Sequence, residues 1–203
     1  MPVRTLTKTI RARISILPEG AVLHPKEFLH QGTRAAIDQA LSRLCHQGQL
    51  TRIARGSYVK PVSGRFGVRA PALEKVLASL EETTGEVVVP NGAAAANALG
   101  MSTQVPVRSL FLTSGRSRKL TLGNRMVELQ HVPPWQLALG NKPAGAAVRA
   151  LAWLGPQYAN SELVKLQERL PPKEWKELME RRTMLPAWMA KALAQTSKSA
   201  SNV

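Results

Sequence analysis

The sequence predicts an α+β protein, with an N-terminal winged helix-turn-helix domain over residues 1–69 and a mixed α/β C-terminal domain over residues 70–203 that ends in several helices. Three observations predict it. Ala36, Ile37, Ala40, Leu41, Leu44 and Cys45 recur at the three-and-four spacing of one buried helix face. Leu50 to Ile53 and Ser57 to Lys60 follow as two short β-prone runs joined by Ala54-Arg55-Gly56, a basic hairpin with a glycine for positive φ. After Pro133-Pro134 the apolar period becomes helical and stays so.

The elements are predicted in chain order as follows. Leu6, Ile10, Ile14 and Leu17 mark a first helix, which Pro18-Glu19-Gly20 breaks. His24 precedes a short helix from Pro25 to Leu29, and His30-Gln31-Gly32 turns the chain into a third helix that Thr33 is placed to cap and Gly48 to stop. The hairpin then completes the domain. Pro61 to Pro71, rich in proline, glycine and arginine, is expected to be a linker. Beyond it come a helix from Pro71 to Thr84, a strand from Glu86 to Pro90 and an alanine-rich helix ending at Leu99-Gly100. A strand from Val105 to Thr113 leads to a hairpin of Lys119–Leu122 and Met126–Leu129 around Gly123-Asn124. This mixed part extends to about residue 132. Helices are expected over Ala144–Leu154 and Ser161–Leu170, after Pro171-Pro172, and from Pro186 to a frayed SKSASNV tail.

Charge narrows the class of partner. The chain of 203 residues carries 28 Lys and Arg against 13 Asp and Glu, a net charge of +15 with a pI near 10.9, so a polyanion is the natural ligand. Residues 1–69 hold 12 basic and 3 acidic side chains and have the higher charge density. One cysteine excludes an internal disulfide and argues against structural zinc. No apolar run reaches the length of a membrane span and the N-terminus has no apolar signal core, so a cytoplasmic protein without membrane attachment is expected.

Helix-turn-helix physics places the N-terminal residues of the third helix nearest base edges. Gln31, Thr33 and Arg34 are the first candidates, Arg34 for guanine and Gln31 for adenine, with Thr33 capping the helix while touching phosphate. Arg43 lies further along the same helix. A structural pairing of Arg34 with Asp38 at i,i+4 is the competing account of both residues. In the wing, Arg52, Arg55 and Lys60 are candidates for the phosphate backbone or minor groove, and Tyr58 for a phosphate contact or for packing. Lys8, Arg11 and Arg13 on the first helix would add backbone contacts or form a solvated face. Between residues 87 and 127 no acid occurs, and Arg108, Arg116, Arg118, Lys119 and Arg125 form either a second basic surface or a guarded sheet edge.

No catalytic, metal or cofactor constellation is present in the sequence. Cys45 falls in an apolar row and reads as core, while His24, His30, His46 and His131 form neither a metal-spaced cluster nor a nucleophile–base pair. Pro90-Asn91-Gly92 has the placement of a phosphate loop but lacks its glycine spacing and lysine.

Taken in order, GTRAAIDQALSRL, ARGSYVKP, AANALGMSTQVPVRSLFLTSG, RKLTLGNRMVEL and LPAWM resemble the AbiE-type antitoxins of bacterial abortive-infection, type IV toxin–antitoxin systems, over most of residues 5–195. The resemblance implies a winged-helix repressor of inverted repeats in its own promoter. It further implies a C-terminal domain that counteracts a nucleotidyltransferase-like toxin without a stable complex; the residues themselves lead us to expect no enzymatic activity. A two-fold repeat would call for two protomers on the DNA. The alternatives are a solitary DNA-binding regulator or an RNA-binding protein; the low aromatic content, 4%, gives few platforms for stacking single-stranded bases.

Overall fold

The computed structural model describes residues 3–65, 67–104 and 108–200, and its class is α+β. The order is α1 (Val3–Ser15), β1 (Val22–Leu23), α2 (Arg34–His46), β2 (Thr51–Ala54), β3 (Ser57–Val59), β4 (Val62–Gly64), β5 (Gly67–Arg69) and α3 (Leu73–Thr84). It continues with β6 (Val88–Pro90), α4 (Gly92–Ala98), β7 (Ser109–Thr113), β8 (Arg118–Leu122), β9 (Arg125–His131), α5 (Pro143–Leu154), α6 (Ala159–Arg169), α7 (Pro172–Glu180) and α8 (Ala187–Ala200). A 3-10 turn, Pro25–Phe28, replaces the short second helix.

The chain divides into two compact units, residues 1–86 with 118–127, and residues 87–117 with 128–203. The division differs from a boundary near residue 70. Strand β9 passes from one unit to the other, Arg125–Val127 belonging to the first and Glu128–His131 to the second.

In the first unit, β1 and β2 both pair antiparallel with β3, giving the order β1-β3-β2. Leu6, Ile10 and Ile14 of α1 meet Ile37, Leu41 and Leu44 of α2 over Leu23, Phe28, Leu50 and Tyr58. Each such large apolar side chain contributes about 1.5–3 kcal/mol by leaving water. Where a linker was expected, Val62–Gly64 pairs with Gly67–Arg69 as a hairpin; Phe66 lies outside the described residues. Most of this hairpin is exposed, so no buried face imposes an alternating pattern on its sequence.

Helix α3 belongs to the first unit because polar contacts far apart in sequence tie it there. Glu19 pairs with Lys75 Nζ at 2.6 Å and Arg69 Nη1 at 3.3 Å, and accepts from the Ala72 N–H at 3.2 Å, while the Val22 N–H donates to Ser79 Oγ at 2.9 Å. The Lys75 hydrogen bond, followed by the Ala72 N–H, holds the Glu19 carboxyl below the usual carboxylate range. A depressed carboxyl contributes stability above its unfolded pKa and loses it as pH falls through the folded one. Glu19→Gln is therefore expected to flatten the fall in Tm between about pH 5 and pH 2 relative to the parent chain. Parallel Tm–pH curves for the two proteins would refute the assignment.

In the second unit, β6 pairs antiparallel with β7, Val88 opposite Thr113 and Pro90 opposite Phe111. Val105 to Val107 of the expected strand lie outside the described residues, and β7 begins at Ser109. Asn91 caps α4 through Oδ1, which accepts from the Ala94 N–H at 2.8 Å. Ala95 and Ala96 let α4 approach Ala150 of α5 closely. Leu151, Leu163, Leu166, Leu178, Met189 and Leu193 build the larger core between α5, α6, α7 and α8. Helix α8 continues to Ala200, into the segment expected to fray; residues 201–203 lie outside the described residues.

Candidate nucleic-acid interface

Helix α2 is amphipathic and begins at a formed cap. Thr33 Oγ1 accepts from the Ala36 N–H at 3.3 Å, satisfying one N-terminal donor. Ile37, Ala40, Leu41 and Leu44 face the core, so Arg34 and Arg43 are left on the exposed side. Arg34 uses Nε to donate to both carboxylate oxygens of Asp38, at 3.1 and 3.0 Å. The i,i+4 pairing is thus real, and it engages only the inner nitrogen of the guanidinium.

The β2–β3 hairpin is irregular between Arg52 and Ala54 and turns at Gly56, whose φ of +71° suits glycine. A Cβ on Gly56 would lie 4.0 Å from Arg34 Nη2, so the turn and the start of α2 come together. His24 fixes this turn from behind. Its Nδ1 faces the Gly56 carbonyl at 2.9 Å, and since a carbonyl only accepts, Nδ1 carries the proton. The His24 backbone N–H donates to Glu27 Oε1 at 2.6 Å, which locks the 3-10 turn that carries the ring. Glu27, three positions after His24, has the capping-box spacing that signals this fixed orientation.

The remaining candidates separate by what they already hold. Arg43 and Arg55 are exposed and have no described partner. Arg52 is exposed, and its Nε donates to Ala54 O at 3.3 Å. Lys60 Nζ donates to Ser15 O at 3.2 Å, closing the C-terminal end of α1, so its ammonium is already committed to the fold. Gln31 Nε2 donates to His30 Nε2 at 2.9 Å, and its Oε1 is buried without a partner. Both ends of this amide are therefore removed from the bidentate adenine contact expected of it. Tyr58 is 6% exposed and pairs with Arg52 in register, a packing role, and burial pushes its phenol up. On α1, Arg11 donates to Gln49 Oε1 at 3.0 Å and Gln47 Oε1 at 3.2 Å, while Lys8 and Arg13 are exposed.

The five further basic residues fall in different units. Arg118, Lys119 and Arg125 belong to the first, where β8 lies beside β2; Arg108 and Arg116 belong to the second. Arg118 Nη2 pairs with Glu86 at 2.7 Å, while Lys119 and Arg125 are exposed.

Cys45 is half-buried against the first core, and burial pushes its thiol up, opposite to what a nucleophile needs. His131 is held structurally, with Nδ1 donating to Gly115 O at 2.8 Å. Among the described residues no three His, Cys, Asp or Glu side chains gather as a metal site would require, and no helix is long and apolar enough to cross a membrane.

A family model, described as a family of unknown function, DUF6088, matches residues 9–178 and so spans both units. The chain belongs to the DUF6088 family. No curated protein and no solved structure matches it. The match runs from within α1 to most of α7, so it takes in α2 and the β2–β3 hairpin and reaches into both units, and it stops short of α8.

Proposed function

We propose that this DUF6088 chain is a sequence-specific regulator of double-stranded DNA that represses its own promoter and acts as the antitoxin of an AbiE-type, type IV system. The observation that carries the DNA reading is the meeting of Arg34, at the exposed start of α2, with the Gly56 turn of a basic hairpin. In this reading the first unit is a winged helix. Helix α2 enters the major groove, Arg34 reads guanine through its terminal nitrogens, and Arg55 at the wing tip meets phosphate or the minor groove. Two protomers occupy a two-fold repeat.

The antitoxin part rests on the resemblance borne by the ALGMSTQVP and RKLTLGNRMVEL segments. It assigns to the C-terminal region the counteraction of a nucleotidyltransferase-like toxin, without a stable complex and without catalysis by this chain. The site of action is the cytoplasm.

A titration of the full chain against the duplex upstream of its own gene, beside a scrambled duplex and a structured RNA, at two salt concentrations, tests the proposal. Preference for the upstream duplex that survives the higher salt is expected. Equal, steeply salt-sensitive binding to all three would overturn it, and preference for the RNA would replace it. Within this titration, Arg55→Ala is expected to weaken cognate and scrambled duplexes by a similar factor and reduce the salt slope by about one. Lys60→Ala should lower the slope less, because one N–H of its ammonium already holds Ser15 O and fixes it at the end of α1.

A further inference from the structure

The second unit contains a cavity of about 270 Å³ whose wall includes Asn91, Leu112, Gln130, Gln136, Arg149 and Trp153. It is partly open to solvent, and its lining is mixed. Three side-chain amides and one guanidinium share a wall with leucine and tryptophan, and no carboxylate lines it. Arg149 is 1% exposed, yet it sits in the middle of the apolar helix α5. Its Nη1 donates to Gly140 O at 2.7 Å, whereas Nε is buried with no partner. Burial without a countercharge pushes this guanidinium down to about 10. An arginine at that value is still cationic at neutral pH, so a full positive charge is held out of water without compensation by any described acid.

Close packing fixes the geometry of this wall. A Cβ on Gly92 would fall 2.6 Å from Arg149 O and 2.5 Å from Trp153 Cβ, so only glycine lets α4 approach α5 here. Arg149 and Trp153 are one helical turn apart on α5 and therefore face the same way. The ring of Trp153 is 43% exposed, a large apolar surface at the edge of the cavity.

We propose that this cavity binds a small organic anion, its carboxylate or phosphate head placed toward Arg149 with amide donors from Gln130 and Gln136, and its apolar body against Leu112 and Trp153. The volume lies just under the range of drug-sized pockets, which fits a ligand of about one ring plus its anionic head. An anion would supply the countercharge that Arg149 lacks. The amides give orientation, since they donate to an oxyanion without adding charge. This assignment is independent of the DNA reading of the first unit.

The test uses the full chain and three probes: benzoate, phenyl phosphate and neutral benzamide, with Tm and intrinsic tryptophan fluorescence as readouts. At least one anion is expected to raise Tm saturably, by about 5 °C or more at a hundredfold excess over its Kd, while benzamide gives no comparable shift. Response to benzoate alone assigns a carboxylate ligand, and response to phenyl phosphate alone a phosphate ester. In Arg149→Met the anion response should disappear while the fold persists, because an apolar side chain of similar length replaces an uncompensated charge. Ala152→Leu, which narrows the same cavity without touching the arginine, should also abolish it. Equal response to benzamide, no response to either anion, or a response retained in either variant would overturn the proposal. If Arg149→Met fails to fold, Ala152→Leu alone decides.

Discussion

Arg34→Ala is expected to lower the preference for the promoter duplex over a random duplex by about 5- to 150-fold, the equivalent of ~1–3 kcal/mol for one bidentate guanine contact. The free protein already holds Arg34 in place. Asp38 pairs with Nε from one turn further along α2, and the Gly56 turn lies beside Nη2, so this orientation is favoured before binding. Asp38→Asn should therefore reduce the same preference by a smaller factor, through loss of orientation. Competition titrations with cognate and random duplexes at fixed salt measure both. If Arg34→Ala weakens the two duplexes equally, Arg34 is a phosphate contact and the reading head lies elsewhere on α2.

Gly20→Ala is expected to cost ~2–5 kcal/mol of stability. Two causes add. Gly20 has φ +85°, where an L side chain is strained by about 1–2 kcal/mol. Its Cβ would also meet Lys75 Cβ and lie 2.8 Å from the Lys75 carbonyl carbon and 3.1 Å from the Val76 nitrogen, backbone atoms of α3 that cannot swing aside, which adds ~1–3 kcal/mol. The neighbouring Glu19 binds the first turn of α3, so relief by moving the helix would break those contacts too. Urea unfolding of parent and variant checks the value. A change under about 1 kcal/mol would mean that α3 is free to shift away from the turn.

The parts of the fold legible in the sequence are those set by local pattern. Helix α2 announces itself by its three-and-four row and Thr33, the hairpin by alternation around Gly56, and α5 through α8 by apolar period and helix-opening prolines. What was not legible depends on contacts between residues far apart in the chain. The membership of α3 in the first unit is decided by Glu19 and by Val22 meeting Ser79, 57 residues away. The β4–β5 hairpin has exposed faces and therefore no hydrophobic signature.

The same holds for side-chain roles. Nothing near Lys60 in sequence indicates that its ammonium closes α1 at Ser15, and nothing near Gln31 that its oxygen is buried. Arg149 does leave a signal in the sequence, a lone arginine between Val148 and Ala150 in the apolar row of α5. A charge at such a position demands a reason.

The path of β9 through both units has a consequence for how the chain comes off the ribosome. The first unit includes residues 118–127, so it is complete only after the strand–helix–strand excursion of residues 87–117 has been synthesised, although its main core, from Leu6 to Tyr58, lies within the part that emerges first. The early product then lacks β8 and the start of β9. For the same reason no single cut yields two whole pieces: division after residue 69 or after residue 86 leaves the N-terminal fragment without β8 and the start of β9. Neither unit is one continuous segment, so replacing either of them whole takes more than one junction in the chain.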